Sequence, residues 1–301
     1  MKPFLIIPLV LLAAVGGCAD RDEAVDPATA ALNPTLTDIW VAELLDSRRR
    51  LRLGTPRNVT DRPGYDNQPH FLPDGSGFLY TAMDANGQAD TWRYEFERGR
   101  RFRVTRTPES EYSPTPHPDG GFTVVRVEAD GAQRLWRFRD DGDEPQLLLE
   151  AIAPVGYQAW FNAHRVALFV LGEPPTLVVA NLADGGSEIV LQSVGRSMHP
   201  VQGKGTVSVV HKVSADEWNV VEIALDGTAT KLATLPRPSE DFAWLPDGQL
   251  VVGHGSRLLM RRPGGNDGWQ EIADFSEYGI EQITRIAVSP TGDRIAFVAQ
   301  R

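Results

Sequence analysis

Two histidines occupy the same position of a repeating sequence and could bind a metal ion together. His70 and His199 lie three repeats apart when the strand segments of the chain are aligned. In a closed ring of six repeats, that separation places the imidazoles on opposite sides of a central channel, where they could share a divalent metal ion. The sequence names no third ligand. We therefore favour two polar side chains beside channel water, and no cofactor is predicted.

One serine lies in a segment that approaches the nucleophile elbow of serine hydrolases. The segment is Gly195-Arg196-Ser197-Met198-His199. An elbow needs a closing glycine and a following helix that carries the serine, and this segment offers neither. We predict an ordinary loop serine and no catalytic residue.

Acidic and tyrosine side chains recur in the loops that precede the first strand of a repeat. Five of them are predicted to contact a partner: Tyr65, Asp66, Glu111, Tyr112 and Asp241. The two tyrosines are expected at equivalent positions, where aromatic rings suit contact with a peptide. Loops on a rigid scaffold commonly carry binding sites. Solubilising charge with aromatic packing is the alternative.

Arginines cluster in two equivalent loops of neighbouring repeats. The clusters consist of Arg48, Arg49, Arg50 and Arg52, and of Arg98, Arg100, Arg101 and Arg103. If the loops lie side by side, they form a basic edge that could meet lipid phosphate, an anionic glycan or an acidic partner. Two solvated loops are the alternative. The net charge of −10 argues against a nucleic-acid partner.

The N-terminal sequence is typical of a targeting signal. Lys2 supplies a positive charge, residues 4–15 are apolar but too few to span a membrane, and small residues precede Cys18, the only cysteine. This pattern resembles the bacterial lipoprotein signal, and Ala19 favours the outer membrane by that resemblance. We expect a signal peptide over 1–17, and a lipidated Cys18 with a flexible tether over 18–34. An ordinary secreted protein is the alternative.

A repeat of about 43 residues organises the rest of the chain, and a period of that size marks a propeller or a solenoid. The turn signals are Pro73-Asp74-Gly75, Pro118-Asp119-Gly120, Pro246-Asp247-Gly248 and Pro290-Thr291-Gly292. Short apolar segments bounded by Gly, Pro, Asp and Asn follow each turn, which indicates four strands per repeat. Six repeats are visible.

The order of the strands predicts how the ring closes. The chain begins with the two outer strands of a repeat, over residues 37–60, and ends with two inner strands, over residues 283–299. Both halves find a partner if the termini build one sheet, because closure leaves only short, protected edges. We predict an all-β, six-bladed propeller of four-stranded blades over residues 35–301.

The residues of the repeat resemble those of a known family. Val59-Thr60-Asp61-Arg62-Pro63-Gly64-Tyr65-Asp66-Asn67-Gln68-Pro69 leads to the first turn, and Val104-Thr105-Arg106-Thr107-Pro108 leads to the second. These segments look like the repeat of TolB-type six-bladed propellers. The family includes an N-terminal α/β domain that the resemblance does not cover, and a lipoprotein signal is expected in its place.

These observations predict a protein that binds rather than catalyses. We expect a lipid-anchored protein on the periplasmic side of the cell envelope that binds an envelope protein or peptide through its loop faces. One alternative is a metal-assisted glycan lyase or hydrolase with His70 and His199 as ligands. Another is a sensor of small molecules or glycans. Fold resemblance alone does not decide among them.

Overall fold

The Pro-Asp-Gly turns separate short antiparallel strands, as the sequence predicts. The computed structural model describes residues 36–47, 50–265 and 267–300, without the side chains of residues 46–50. The predicted signal peptide, Cys18, the tether, Arg48 and Arg49 lie outside the described residues, and so does the side chain of Arg50. Within the described residues, no helix is long and apolar enough to cross a membrane.

The strands form six antiparallel sheets, which we call blades. The chain starts with β1 (Thr37–Ser47), β2 (Arg50–Leu53) and β3 (Arg57–Asn58). Blade 1 contains β4 (Asp66–Phe71), β5 (Gly77–Met83), β6 (Ala89–Glu95) and β7 (Arg100–Arg103). Blade 2 contains β8 (Ser110–Pro116), β9 (Phe122–Val127), β10 (Gln133–Phe138) and β11 (Gln146–Leu148). Blade 3 contains β12 (Val155–Asn162), β13 (Arg165–Val170), β14 (Thr176–Asn181) and β15 (Ser187–Gln192).

The second half of the ring has the same plan. Blade 4 contains β16 (Val194–Val201), β17 (Thr206–Lys212), β18 (Trp218–Ile223) and β19 (Ala229–Thr234). Blade 5 contains β20 (Phe242–Trp244), β21 (Leu250–His254), β22 (Arg257–Arg261) and β23 (Gln270–Asp274). A 3₁₀ turn (Ser276–Tyr278) precedes β24 (Ile283–Val288) and β25 (Arg294–Gln300).

Blade 6 joins the two ends of the described chain. Its strand order is β2-β1-β25-β24, and β3 adds a short pairing with β1. Trp40 lies opposite Phe297, and Thr37 lies opposite Gln300. The predicted closure is therefore confirmed.

The apolar core lies between neighbouring blades. Phe78 of blade 1 is fully buried in one apolar cluster with Ile39 and Val298 of blade 6. In the closing blade, Phe297 stacks on Phe275 of blade 5 at 5.2 Å. Each sheet is thus buried on the faces that meet the adjacent sheets, which explains why the middle strands read as nearly continuous apolar runs.

The first strand of each blade is β4, β8, β12, β16, β20 or β24. Three of these strands, β4, β8 and β24, carry a bulge at the same place. The pairing register shifts between Asn67 and His70 in β4, with equivalent shifts in β8 and β24. At each shift a non-glycine residue adopts the left-handed conformation: Gln68 (φ 58°), Ser113 (φ 54°) and Arg285 (φ 46°). A bulge redirects the neighbouring side chains, and these three residues all line the central channel.

Candidate functional site

The first strands of the six blades surround a narrow passage, which we call the channel waist. It encloses a volume of about 50 Å³. The polar residues that line it are Gln68, His70, Ser113, Tyr157, Gln158, Arg196, Ser197, His199, Asp241 and Arg285.

A belt of hydrogen bonds links neighbouring blades at the waist. The Ser113 backbone N–H donates to Gln68 Oε1 at 2.9 Å, and Gln158 Nε2 donates to the Ser113 carbonyl at 2.8 Å. On the other side of the ring, the Phe242 N–H donates to Ser197 Oγ at 3.1 Å. Ser197 is therefore a buried residue of strand β16, and the prediction of a loop serine is wrong. The Ser197 Oγ lies 3.4 Å from His199 Nε2.

A charged cluster from three blades occupies one side of the waist. Asp241 accepts hydrogen bonds from Arg196 Nη2 at 2.9 Å and from Arg285 Nη1 at 3.2 Å. Arg285 Nη2 also donates to the Tyr157 hydroxyl at 2.8 Å. Burial opposes the ionisation of Asp241, but the two guanidinium groups outweigh it and hold the pKa of this carboxyl well below its usual range.

The two channel histidines are equivalent, as predicted. His70 lies opposite Leu79, and His199 lies opposite Ser208, each partner being the third residue of its strand. Burial lowers the pKa of both imidazoles to about 4. They are neutral at neutral pH, which is the form that binds metals. Among the described residues, no group of three His, Cys, Asp or Glu side chains is placed to hold a metal ion.

A wider opening lies below the waist, on the face that carries the Pro-Asp-Gly turns. We call this opening the funnel, and its volume is about 510 Å³. Its lining includes Trp160, Trp244, His117, His199 and six prolines, namely Pro73, Pro116, Pro118, Pro200, Pro246 and Pro290. The Nε1 groups of Trp160 and Trp244 donate to Thr123 Oγ1 at 3.1 Å and to Ser208 Oγ at 2.8 Å, which fixes both indole rings. His199 lines both cavities.

Asp241, one of the three predicted partner-binding carboxylates, lies at the waist, and the other two, Asp66 and Glu111, are buried on the opposite face. Arg62 Nη2 donates to Asp66 at 2.7 Å, and the hydroxyls of Thr105 and Thr107 donate to Glu111. Burial raises the pKa of Asp66 to about 6, although Arg62 lowers it. Their predicted contact with a partner stays a prediction.

The two predicted tyrosines are not equivalent. Asp66 pairs with Ala82 and Glu111 pairs with Arg126, at matching positions of the second strands. Tyr112 therefore corresponds to Asn67, while Tyr65 precedes the strand. Tyr112 is buried, and burial raises the pKa of both tyrosines. Counting back from Pro73 and Pro118, which are 45 residues apart, gives the same equivalence.

Comparison with solved structures identifies the fold. A TolB-type protein of Agrobacterium tumefaciens superposes with a TM-score of 0.70 at 12% identity, over 89% of this chain and 99% of that one. TolB of Acinetobacter baumannii superposes with a TM-score of 0.55 at 13% identity, over 88% of this chain and 64% of that one. The fold is that of the TolB-type six-bladed propellers.

Other comparisons do not narrow the function of this protein. Virginiamycin B lyase of Staphylococcus aureus superposes with a TM-score of 0.54 at 12% identity, over 89% of this chain and 97% of the lyase. No family model matches the sequence. An uncharacterised protein of Agrobacterium fabrum is 28% identical over 109 residues, which cover 36% of this chain and 35% of that protein. The match thus spans about a third of that relative.

The structure describes part of the two predicted basic loops. Arg100 and Arg101 are exposed. Arg100 pairs with Glu95 at 2.7 Å, and Arg101 Nη1 donates to the carbonyl of Val59 at 3.4 Å, which brings blade 1 close to the chain that leaves blade 6. A partner for this edge stays a prediction.

Sequence reasoning did not find Tyr157, Arg196 or Arg285 as site residues, nor the funnel tryptophans. A signal exists for some of them. Gln68, Ser113, Gln158, Ser197 and Arg285 all lie on first strands and line the waist, and Trp160 and Trp244 lie on the first strands of blades 3 and 5 and line the funnel. Aligning the first strands residue by residue would have shown these polar and aromatic positions. The ion pairs between blades leave no trace in the sequence.

Proposed function

We propose that this protein is a non-catalytic binding protein of the bacterial cell envelope, and that its funnel holds an extended segment of another envelope protein. The observation that carries the proposal is the lining of the funnel. Six prolines and two fixed indole rings form a rigid wall. A rigid aromatic surface loses little conformational entropy when it binds, which favours a peptide ligand.

The funnel presents neutral chemistry to its ligand. None of the described residues that line it carries an Asp, Glu, Lys or Arg side chain. Burial lowers the pKa of His117 and, to about 4, that of His199, so both imidazoles are neutral at neutral pH. Prolines, tryptophans and backbone groups of this kind suit an apolar or proline-containing segment.

The N-terminal sequence supports a place at the membrane. If Cys18 is acylated, each buried CH₂ contributes about 0.8 kcal/mol, and two or more chains anchor the protein stably. We propose that lipid on Cys18 holds the propeller on the periplasmic side of the envelope, with the outer membrane as the site. Cys18→Ser should move the protein from the membrane to the soluble fraction without changing its melting temperature.

Photo-crosslinking in cells tests the funnel. A photoreactive side chain at Gln202, an exposed residue of the funnel rim, should capture one envelope protein. The same side chain at Glu188, which is exposed on outer strand β15, should not capture it. The captured protein should bind the purified domain.

Two matched tryptophan variants decide whether the funnel itself makes the contact. Trp244 and Trp269 both belong to the region of blade 5, and each donates one hydrogen bond of 2.8 Å from Nε1. Trp244→Ala should weaken binding of the captured protein at least about tenfold, because a buried aromatic anchor often contributes 2 kcal/mol or more. Trp269→Ala should leave it unchanged. Equal effects of the two variants would contradict the proposal.

A metal-assisted glycan lyase or hydrolase is the competing proposal, and the neutral His70 and His199 at the waist are the observation behind it. Metal analysis of the purified domain separates the two. One zinc or manganese ion per chain that His199→Ala removes would replace the non-catalytic proposal with this one.

A further inference from the structure

We propose that the channel waist is a binding site for a carboxylate, with Arg285, Arg196 and Tyr157 as its donors. The C-terminal carboxylate of a peptide that enters through the funnel and a free small carboxylate share this chemistry. The peptide source rests on the proposed function of the funnel, whereas the carboxylate site does not.

The charge balance of the waist favours an anion. Arg196 and Arg285 share the single carboxylate of Asp241, while Lys212 pairs with Glu240 at 3.1 Å. Three cations face two carboxylates, so one positive charge is left over among these five side chains. Uncompensated charge is unfavourable in a partly buried site. A bound carboxylate would neutralise it.

The two arginines remain accessible from the passage. The side chain of Arg196 is 29% exposed and that of Arg285 is 16% exposed, and both residues line the waist. Arg is suited to carboxylate recognition because its planar guanidinium presents several donors at once. Asp241 therefore positions the guanidinium groups without occupying all of their donors.

Polar groups beside the arginines have spare hydrogen-bonding capacity. The Tyr157 hydroxyl accepts a bond from Arg285, and a hydroxyl can donate its own hydrogen while it accepts. Within the described part of the chain, Ser113 Oγ, Gln158 Oε1 and His70 Nδ1 are buried and have no hydrogen-bond partner. All three residues line the waist, and buried polar atoms without partners are rare in folded proteins.

This combination of donors and acceptors matches the end of a peptide. A C-terminal residue presents a carboxylate that accepts hydrogen bonds and an amide N–H that donates one. The hydroxyls of Tyr157 and Ser113 could donate to the carboxylate, and Gln158 Oε1 could accept from the N–H. His199 lines both cavities, so the funnel and the waist adjoin at this residue.

Backbone conformation also marks the waist as a built site. Gln68, Ser113 and Arg285 all adopt positive φ, which is unfavourable for a residue other than glycine. Such strain persists only where the surrounding structure enforces it, and it concentrates at functional sites. Here the strained residues come from three neighbouring blades and line one cavity of about 50 Å³. That space accommodates a carboxylate group rather than a whole side chain.

Ligand-observed NMR titration of the purified domain tests the site with three small probes. N-acetylglycine carries both the carboxylate and the amide N–H, acetate carries the carboxylate alone, and N-acetylglycinamide carries no charge. We expect N-acetylglycine to bind and N-acetylglycinamide to bind at least about tenfold more weakly, a difference of about 1.4 kcal/mol. Tighter binding of N-acetylglycine than of acetate assigns the site to a peptide C-terminus. Equal binding assigns it to free small carboxylates.

Variants show whether the probes bind at the waist. Arg285→Met removes the charge at similar volume and should weaken N-acetylglycine binding at least about tenfold. Arg139→Met removes an exposed arginine of blade 2 and should leave binding within about twofold. Tyr157→Phe removes only a hydroxyl. It is the second waist variant, for use if Arg285→Met lowers the melting temperature of the domain. Binding that is indifferent to the carboxylate, or to both waist variants, overturns the proposal even if the funnel captures its partner.

Discussion

Two carboxylates near the start of first strands show how the surroundings decide the charge of a buried side chain. Asp66 is fully buried and has one arginine partner, so burial prevails and its pKa rises to about 6. Asp241 is also buried, but two arginines outweigh burial and lower its pKa. The difference between one and two guanidinium partners therefore separates a carboxyl that titrates near neutral pH from one that stays ionised.

Asp66 should make the stability of the domain depend on pH. Its pKa in the folded state is about 6, above the ordinary value of 3.8. Between these values the folded protein holds a proton that the unfolded chain releases, so stability falls as pH rises from about 4 to about 6. Asp66→Asn removes this dependence. The difference in unfolding free energy between wild type and variant should change by about 3 kcal/mol over that range.

Urea unfolding at a series of pH values measures this difference. Asp141→Asn, at an exposed site of blade 2, is the matched control and should follow the wild type at every pH. Parallel curves for wild type and Asp66→Asn would show that Asp66 does not titrate in this range.

At the scale of the element, the hairpin between β4 and β5 of blade 1 explains the Pro-Asp-Gly turn and the glycine that follows it at position 77. Gly75 adopts a φ of 70°, and its N–H donates to the carbonyl of Leu72 at 2.9 Å. Asp74 Oδ1 accepts a bond from the Ser76 N–H at 2.9 Å. The second glycine, Gly77, begins β5 opposite Glu95, where the neighbouring strand approaches too closely for any side chain.

Gly77→Ala should therefore destabilise the domain strongly. A Cβ at this position would lie 2.0 Å from the carbonyl oxygen of Tyr94, so β5 and β6 would have to separate. Overpacking of this kind typically costs 1–3 kcal/mol, and we expect at least about 2 kcal/mol. Thermal unfolding with Gly268→Ala as control measures it, because a Cβ at Gly268 meets no atom within 4 Å. Similar melting temperatures for both variants would contradict the close approach.

The same elements show what a sequence can and cannot reveal. The turns revealed the repeat because a Pro-Asp-Gly turn is a local structure whose residues are adjacent in the chain. Arg285 and Tyr157 are hydrogen-bonded although 128 residues separate them. Their contact depends on ring closure and on a bulge at φ 46° in β24. Such a contact has no local signature, which is why the histidines were predicted and the arginines were missed.

At the scale of the whole molecule, closure makes the ends of the chain essential to each other. Strand β1 pairs with β25 from Thr37 to Glu43, and Ile295, Phe297 and Val298 of β25 are fully buried. Removal of residues 283–301 would expose the partners of these side chains. Each buried large apolar side chain contributes about 1.5–3 kcal/mol, and a domain has only about 5–15 kcal/mol in total. We expect the truncated protein to lose cooperative thermal unfolding.

A circular permutant distinguishes closure from the loss of any two strands. Thr37 lies directly opposite Gln300, so a short turn could join them and make blade 6 continuous in the order β24, β25, β1 and β2. New termini at the exposed Glu281 would precede β24. Because every strand keeps its neighbours, the permutant should melt cooperatively within a few degrees of the parent domain. An unfolded permutant, together with a truncated chain that still melts cooperatively near the wild-type temperature, would contradict the prediction that pairing of β1 with β25 holds the ring closed.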